Sequence, residues 1–384
     1  MSAPLDGLRI IDLTRVLAGP YCTMLLADLG ADVVKVERPG TGDETRTWGP
    51  PFAGGEAAYY LAVNRGKRSV ALELTGERDR AAFLRLVENA DVVVENFRHG
   101  SAEALGIGYD DLRAVNPRLV YCSITGFGER EPRSRPGYDF VVQAESGLMS
   151  ITGEADGPPS KVGVAVVDVL AGLNAATAIL AALRRRDRTG EGVHVRVSLL
   201  DSALSALVNV AQSVLVTGEE ARRHGNAHAS IAPYQPLRAA DGEIAVAAAN
   251  DGLFARLCRA LDRDDLLADA RFGTNAARVE HRRDLVDALE ETLATRSAAD
   301  WLARLEAAGV PAGRIRGVRE ALEAAAAAGE DPTVAVDHPT IGRLPLVRTA
   351  PRFAGVDAAA PLPPPLLGEH TREVLAEAGI DTTG

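Results

Sequence analysis

Cysteine is scarce in this chain. Cys22, Cys122 and Cys258 are far apart and odd in number, and no C-x-x-C occurs. Neither a disulfide framework nor a zinc ribbon can be built on them, and no metal site is expected. Positive charge is also in deficit: 42 Lys and Arg against 53 Asp and Glu give a formal charge of −11. General nucleic-acid binding needs a basic footprint, so it is excluded as the main activity; a local basic pocket for an anionic ligand is not. The N-terminus, Met1-Ser-Ala-Pro-Leu-Asp-Gly7, has no basic segment followed by an apolar one. No signal peptide is expected, and the cytoplasm is the default compartment.

Common cofactor and nucleophile motifs are missing as well. The turn after the first apolar strand reads Thr14-Arg-Val-Leu-Ala-Gly-Pro20 instead of G-x-G-x-x-G. Gly66-Lys67-Arg68-Ser69 resembles the end of a phosphate loop, but position 61 is Leu where that loop needs its first glycine. No G-x-S-x-G elbow occurs. His224 and His228 stand four apart without an H-E-x-x-H around them, and read as polar linker residues.

One run is long and apolar: Val162 to Leu183, followed by Arg184, Arg185 and Arg186. It reaches the roughly 20 residues that a membrane span needs. Asp168 and Asn174 sit inside it, and Gly163 and Gly172 weaken it, so a buried strand-turn or a long core helix is expected instead. That choice places the Asp168 carboxylate in an apolar setting.

What remains is an ordinary globular composition, 46% hydrophobic and 25% charged, which argues against disorder. The length of 384 residues suggests about two to three domain-sized units. Apolar strand patterns at Leu8–Leu13, Asp32–Glu37, Ser69–Leu74, Asp91–Asn96, Leu119–Ile124 and Val193–Ser198 alternate with helix patterns. Among these helix patterns are one ending at Gly30, one from Gly76 to Ala90, and one from Leu199 to Val216. Such alternation argues for a parallel α/β sheet with both faces covered. Arg222–His228 reads as a polar linker. Beyond it come a strand from Gly242 to Ala249 and helices at Asp251–Leu261, His281–Ala294, Ala298–Ala308, Glu320–Ala328 and Glu369–Ala378.

Asp168 has two readings at this level. Val166-Val-Asp168 before Val169-Leu-Ala-Gly-Leu fits a helix capped by that aspartate. The other reading is a carboxylate nucleophile, which can attack an acyl centre and form a covalent intermediate.

Several segments, in order, resemble one family. They are Leu5-Asp-Gly-Leu-Arg-Ile-Ile-Asp-Leu13, Ala18-Gly-Pro20, Leu29-Gly-Ala-Asp-Val-Val-Lys-Val-Glu-Arg-Pro-Gly40, Asn64-Arg-Gly-Lys-Arg-Ser69, Val94-Glu-Asn-Phe97, Gly137-Tyr-Asp139, Gly225-Asn226 with Pro233-Tyr234, and Leu367-Gly-Glu-His-Thr371. Together they resemble the class III CoA-transferases, the CaiB–BaiF family, nearly end to end.

That resemblance implies an acyl-CoA:carboxylate CoA-transferase. Its catalytic aspartate falls on Asp168, with no permanently bound cofactor and an acyl-CoA and a carboxylic acid as substrates. The CoA positions carried over are Val16, Leu17 and Ala18 in the first turn; Arg38 toward a phosphate; Leu72, Glu73, Leu74 and Thr75 beside the adenine; Asn96, Phe97 and Arg98; and Tyr138 and Asp139 at the active-site wall. Arg15, Arg38, Lys67, Arg68 and Arg98 all follow expected strands or loops, a clustering that suits an anion.

The resemblance also implies a Rossmann-like large domain built from both chain ends, a smaller inserted α+β domain, and an interlocked homodimer. The boundaries are placed at 1–220, 221–330 and 331–384.

The chain departs from the pattern in three places. Leu17 stands where members acting on formyl-CoA and oxalate have Gln; Leu cannot hydrogen-bond a small polar acyl group, so oxalate is not expected as the acceptor, and the apolar turn of Val16, Leu17 and Ala18 points to an acyl group larger than formyl. Ala104 replaces a basic residue, leaving Arg133 or Arg135 to supply that phosphate contact. His224–Ser230 holds only Gly225 where some relatives have a Gly-rich lid. Two other readings stay open: an α-methylacyl-CoA racemase of the same fold, and a non-catalytic acyl-CoA-binding protein. The racemase places a His where this chain has Tyr138, and a tyrosine of ordinary pKa near 10 is a poor base.

Overall fold

Short runs of β-branched residues pair side by side in the first unit of this computed structural model, which describes residues 3–128, 135–355 and 361–380. The strands and helices that matter here are β1 (Arg9–Asp12), α1 (Ala18–Asp28), β2 (Asp32–Glu37), β3 (Lys67–Ala71), α2 (Glu77–Glu88), β4 (Val92–Glu95), β5 (Val120–Thr125), α3 (Asp139–Glu145), α4 (Val166–Thr189) and β6 (Val193–Ser198). The six strands form one sheet in the order β3-β2-β1-β4-β5-β6. Every pairing is parallel, with Ile10 opposite both Val33 and Val92.

Alternation along the strands explains the two layers. Ile10, Val33, Val92 and Val120 face one side, where Leu26 of α1 and Ala175 and Ile179 of α4 cover them. Ile11, Val34, Val93 and Tyr121 face the other, against Phe83 and Leu86 of α2 and Val374 near the C-terminus. A parallel sheet needs both faces covered. Fully burying a Val or Ile side chain stabilises by roughly 1.5–3 kcal/mol.

The chain winds outward from β1 through β2 to β3, then crosses back to β4. Between β1 and β4 the winding direction reverses. Loops leaving the carboxyl ends of these two strands therefore diverge and leave a crevice, the usual ligand position in such a sheet.

Two sequence readings are refined here. The apolar run is a single core helix, α4, whose N-cap is Ala165; no side chain of its own caps it. Asp168 is thus the third helical residue and not the cap. The expected helix from Leu199 to Val216 is two helices, α5 (Leu199–Ala206) and α6 (Val208–Thr217), bent by 76° at a break where Val208 has φ 40°. No Gly or Pro marks that break, so the apolar pattern runs through it.

The first unit comprises Met1–Leu148, Lys161–Glu219 and Asp331–Gly384. Its C-terminal helix Thr371–Glu377 docks beside β3: the Ala71 N–H donates to Thr371 Oγ1 (3.0 Å) and the His370 N–H to the Ser69 carbonyl (2.9 Å). The second unit comprises Met149–Ser160 and Glu220–Glu330. It holds an antiparallel sheet of β7 (Tyr234–Ala239), β8 (Gly242–Ala247) and β9 (Ala312–Arg314) and a core around Phe254, Leu285 and Trp301. The polar stretch at 222–228 is anchored within this unit. Arg223 donates to the carbonyls of Ser150 (2.9 Å), Glu154 (3.3 Å) and Gly157 (2.8 Å), so residues 149–160 belong to it too.

Candidate active site

Two cavities open at the crevice. The smaller, about 370 Å³, is lined by Val16, Leu17 and Ala18 after β1, by Asn96, Phe97 and Arg98 after β4, by Arg135 and Tyr138 before α3, and by Asp168 of α4. The larger, about 840 Å³, is lined by Arg38 after β2 and by Leu72, Glu73, Leu74 and Thr75 after β3. Arg15, Glu44 and Phe97 line both, so the cavities meet along these side chains. Together they make an elongated site running from the ends of β2 and β3 to Asp168.

Thirteen of the carried-over ligand positions line one cavity or the other; Asp139 lines neither. It is buried behind Tyr138, which is 52% exposed. Asp139 Oδ1 accepts the N–H of Val167 (2.8 Å) and of Asp168 (3.3 Å), and Oδ2 accepts from Gln143 Nε2 (2.6 Å). Its place is therefore the cap of α4, supplied from another element, where a negative charge suits the helix N-terminus. A close glycine pair makes room for this: a Cβ on Gly126 would lie 2.5 Å from the Gly137 Cα. The end of β5 and the chain entering α3 can thus touch.

This arrangement sets the electrostatics of Asp168. Burial pushes its carboxyl up to about 7, and the negative charge of Asp139 adds to the effect. Tyr59, absent from the sequence-derived set, is pushed up to about 12 by burial and then by Asp168 and Asp139. It is a protonated hydroxyl beside the same two carboxyls. Nothing in its sequence context marks it. Gly172 is a second omission. It lies one helical turn after Asp168, and a Cβ there would sit 2.7 Å from the Ala18 carbonyl oxygen. Its bare face lets α4 bring Asp168 against the start of α1, as the i, i+4 spacing would allow.

The five expected basic residues divide. Arg15 pairs with Glu44 (3.0 Å) beside the Phe97 ring. Arg38 is exposed, 3.9 Å from Glu73. Arg98 is exposed and forms no ion pair among the described residues. Lys67 and Arg68 are corrections. Both lie within β3, where successive side chains point to opposite faces. Lys67 is fully buried and donates to Asp12 Oδ2 (2.9 Å), while Arg68 pairs with Asp32 (2.7 Å) and Glu377 (2.7 Å). Neither lines the two cavities, since both charges are taken up by carboxylates of the chain itself. Arg135 pairs with Glu145 over the Phe127 ring. Arg133 lies outside the described residues.

Beneath the first turn sits a buried ionic cluster of Asp12, Lys67, Lys35 and Asp43, each essentially without exposure. Burial alone would raise the Asp12 carboxyl, but Lys67 and Lys35 outweigh it and hold it well below the usual carboxylate range.

Known proteins share this architecture. Residues 5–371 match CoA-transferase family III. The chain is 43% identical over 375 residues to succinyl-CoA:glutarate CoA-transferase of Mus musculus, covering 97% of this chain and 86% of that protein. It is 44% identical over 395 residues to succinate–glutarate CoA-transferase of Agrobacterium fabrum, covering 97% and 95%. The crystal structure of a CaiB/BaiF family protein from Brucella suis superposes with a TM-score of 0.88 at 44% identity, covering 98% of this chain and 100% of that one. With a six-stranded parallel sheet, a carboxyl group at its switch-point crevice and a match along nearly the whole sequence, the chain belongs to CoA-transferase family III.

Proposed function

We propose that this protein moves CoA from an acyl-CoA to a carboxylic acid, with Asp168 as the nucleophile. The observation that carries the reading is a half-buried carboxyl, raised to about 7, at the inner end of an elongated crevice. An Asp168 oxygen attacks the thioester carbon, and the C–S bond breaks to give an acyl–aspartyl anhydride and CoA thiolate. The thiolate attacks the aspartyl carbonyl and expels the first carboxylate, leaving an aspartyl–CoA thioester. The acceptor carboxylate attacks that carbonyl and releases the thiolate, which then takes the new acyl group and frees Asp168. Bond energy stays in each intermediate, so no other energy source is required while water is kept out.

Each step passes through a tetrahedral oxyanion and calls for aimed N–H donors. The amides of Leu17 and Ala18 line the cavity with Asp168 and have no hydrogen-bond partner among the described residues. The first N–H groups of a helix have no partner within it. Desolvation makes the Asp168 carboxylate a stronger nucleophile once ionised. The adenosine end of CoA lies along Leu72–Thr75, with Arg38 toward its phosphates.

The acyl chain is a dicarboxylic one, of the succinyl and glutaryl kind on which the two relatives are named. Exposed Arg98 lines the inner cavity and offers a charge for the far carboxylate. One assay tests both statements: transfer from succinyl-CoA to labelled glutarate between pH 5 and 9. The nucleophile must be ionised, so kcat/KM is expected to fall about tenfold per pH unit below a midpoint near 7 and to level off above it. Asp139→Asn is expected to move that midpoint down by removing the like charge. No transfer to glutarate, or a flat profile through pH 6–8, would contradict the reading.

We infer further that two copies associate. Helix α6 buries none of its residues within the chain, and Leu215 is 79% exposed. A row of exposed apolar side chains on a helix is a surface that association would cover. Sedimentation is expected to give twice the 40.4 kDa of the single chain, and a 40.4 kDa species at micromolar concentration would refute association.

A further inference from the structure

Val16 has φ 70°. For a β-branched residue this left-handed backbone is a genuine outlier, because Cβ crowds the following carbonyl. Strain of this kind persists only where the surroundings over-determine it. Here the surroundings are side chains that take up the backbone polar groups of the turn. The Thr14 N–H donates to Asp12 Oδ1 (2.8 Å), and the Thr14 carbonyl accepts from Lys35 Nζ (2.7 Å). The Val16 N–H donates to Asp43 Oδ1 (3.3 Å), and Asp43 pairs with Lys35 (3.0 Å).

Arg15, immediately before Val16, is held at both of its backbone groups by one residue. Its N–H donates to Asn96 Oδ1 (2.9 Å), and its carbonyl accepts from Asn96 Nδ2 (2.7 Å). Asn96 follows β4, across the switch point from β1. Its amide thus bridges the two diverging loops. Asn96 is in turn flanked by an anchored residue, since the Phe97 N–H donates to the buried carboxyl of Glu95 (2.8 Å).

Asn96 thus spends one bond at each end of its amide on Arg15 while it also lines the cavity, so its family position as a CoA contact does not account for both. We propose that Asn96 is a positioning residue: by clamping Arg15 it holds Val16 left-handed and so aims the Leu17 and Ala18 amides at the oxyanion that forms on the acyl group beside Asp168. The proposal rests on the reading of Asp168 as the nucleophile. Without the clamp, Val16 relaxes to negative φ and the two amides turn away. A ligand contact and a clamp therefore differ in what they change. Loss of a contact weakens acyl-CoA binding, whereas loss of the clamp removes stabilisation present only in the transition state.

Glycine makes the distinction sharp, because it adopts positive φ without help. Three variants are compared in the succinyl-CoA to glutarate assay: Asn96→Ala, Val16→Gly and the double variant. Asn96→Ala is expected to lower kcat by roughly 100-fold and leave the KM for acyl-CoA within about 3-fold. The double variant is expected to regain at least about 10-fold in kcat, because Gly at position 16 takes the required backbone unaided. Should Asn96→Ala fail to fold, Asn96→Asp, which keeps the acceptor and loses the donor, is paired with Val16→Gly and judged the same way.

A raised KM with kcat retained, or no recovery in the double variant, would overturn the clamp. Amide exchange across residues 14–18 gives a reading that needs no catalysis: faster exchange is expected in Asn96→Ala than in the parent protein. If the parent protein transfers no CoA while this difference in exchange persists, the nucleophile reading fails and the clamp stands. If transfer proceeds and exchange is unchanged, the clamp fails alone.

Discussion

Asp168→Asn is expected to abolish CoA transfer, by roughly 10⁴-fold or more, while leaving the protein folded. The amide matches the carboxylate in shape, keeps its place in the first turn of α4, and has no anionic oxygen with which to attack a thioester. The stability effect has the opposite sign. The folded carboxyl titrates at about 7 against 3.8 for an ordinary aspartate. The folded state therefore binds the proton more tightly, and stability contributed by this group is lost as pH rises from about 4 to about 7. Above that window the ionised, desolvated carboxylate opposes folding, and Asn does not. The variant should thus melt above the wild type at pH 8 and show no such gain at pH 3. Transfer at more than a few per cent of the wild-type rate would remove Asp168 from the chemistry. A lower melting temperature at pH 8 would show that the carboxylate is held by favourable contacts after all.

The second large effect concerns stability. Lys67→Met is expected to cost about 3–5 kcal/mol in denaturant unfolding, because it leaves a buried carboxylate with too little compensating charge. Lys67 Nζ donates to Asp12 Oδ2 (2.9 Å), Asn64 Oδ1 (2.9 Å) and the Pro20 carbonyl (3.0 Å). Asp12 also accepts from Thr14 (2.5 Å) and Thr23 (2.7 Å), so it fastens β1 to α1 from within the core. The loss is a large share of the 5–15 kcal/mol typical of a folded protein. Adding Asp12→Asn is expected to restore part of it, since the charge left behind is then gone. Asp12 titrates below its ordinary 3.8 in the fold, so its contribution is present at neutral pH and lost as pH falls below about 4. A single-variant cost within about 0.5 kcal/mol of zero, the usual range for an exposed side chain, would show that Lys67 is not bound in this cluster.

Much of the fold was legible because it depends on local pattern. Apolar runs near 33, 93 and 120 signalled strands buried on both faces, and Gly30 marked the end of α1, where a left-handed residue is needed. Asp168 stood out for the same reason, as an ionisable side chain inside an apolar run. Legibility failed where the partner is distant in sequence. The acceptor that caps α4 is Asp139, 28 and 29 residues before the two amides that it holds. Lys67 finds Asp12 across 55 residues. Sequence gave the sign of the Lys67 and Arg68 charges but not which face of β3 each would occupy. Gly172 was visible as an interruption, yet its meaning depends on the carbonyl of Ala18, a residue of another helix. The strain at Val16 was hidden most deeply. Valine marks ordinary strand or helix, and only the side chains gathered around it from four other places impose positive φ.

The most direct test is capture of the covalent intermediate. The protein is incubated with succinyl-CoA, quenched in acid, digested and analysed by mass spectrometry, with Asp168→Asn alongside. The peptide containing Asp168 is expected to carry CoA in thioester linkage in the wild type and nothing in the variant. CoA on a different residue, or an enzyme that transfers CoA at full rate with no adduct on any peptide, would contradict a mechanism centred on Asp168.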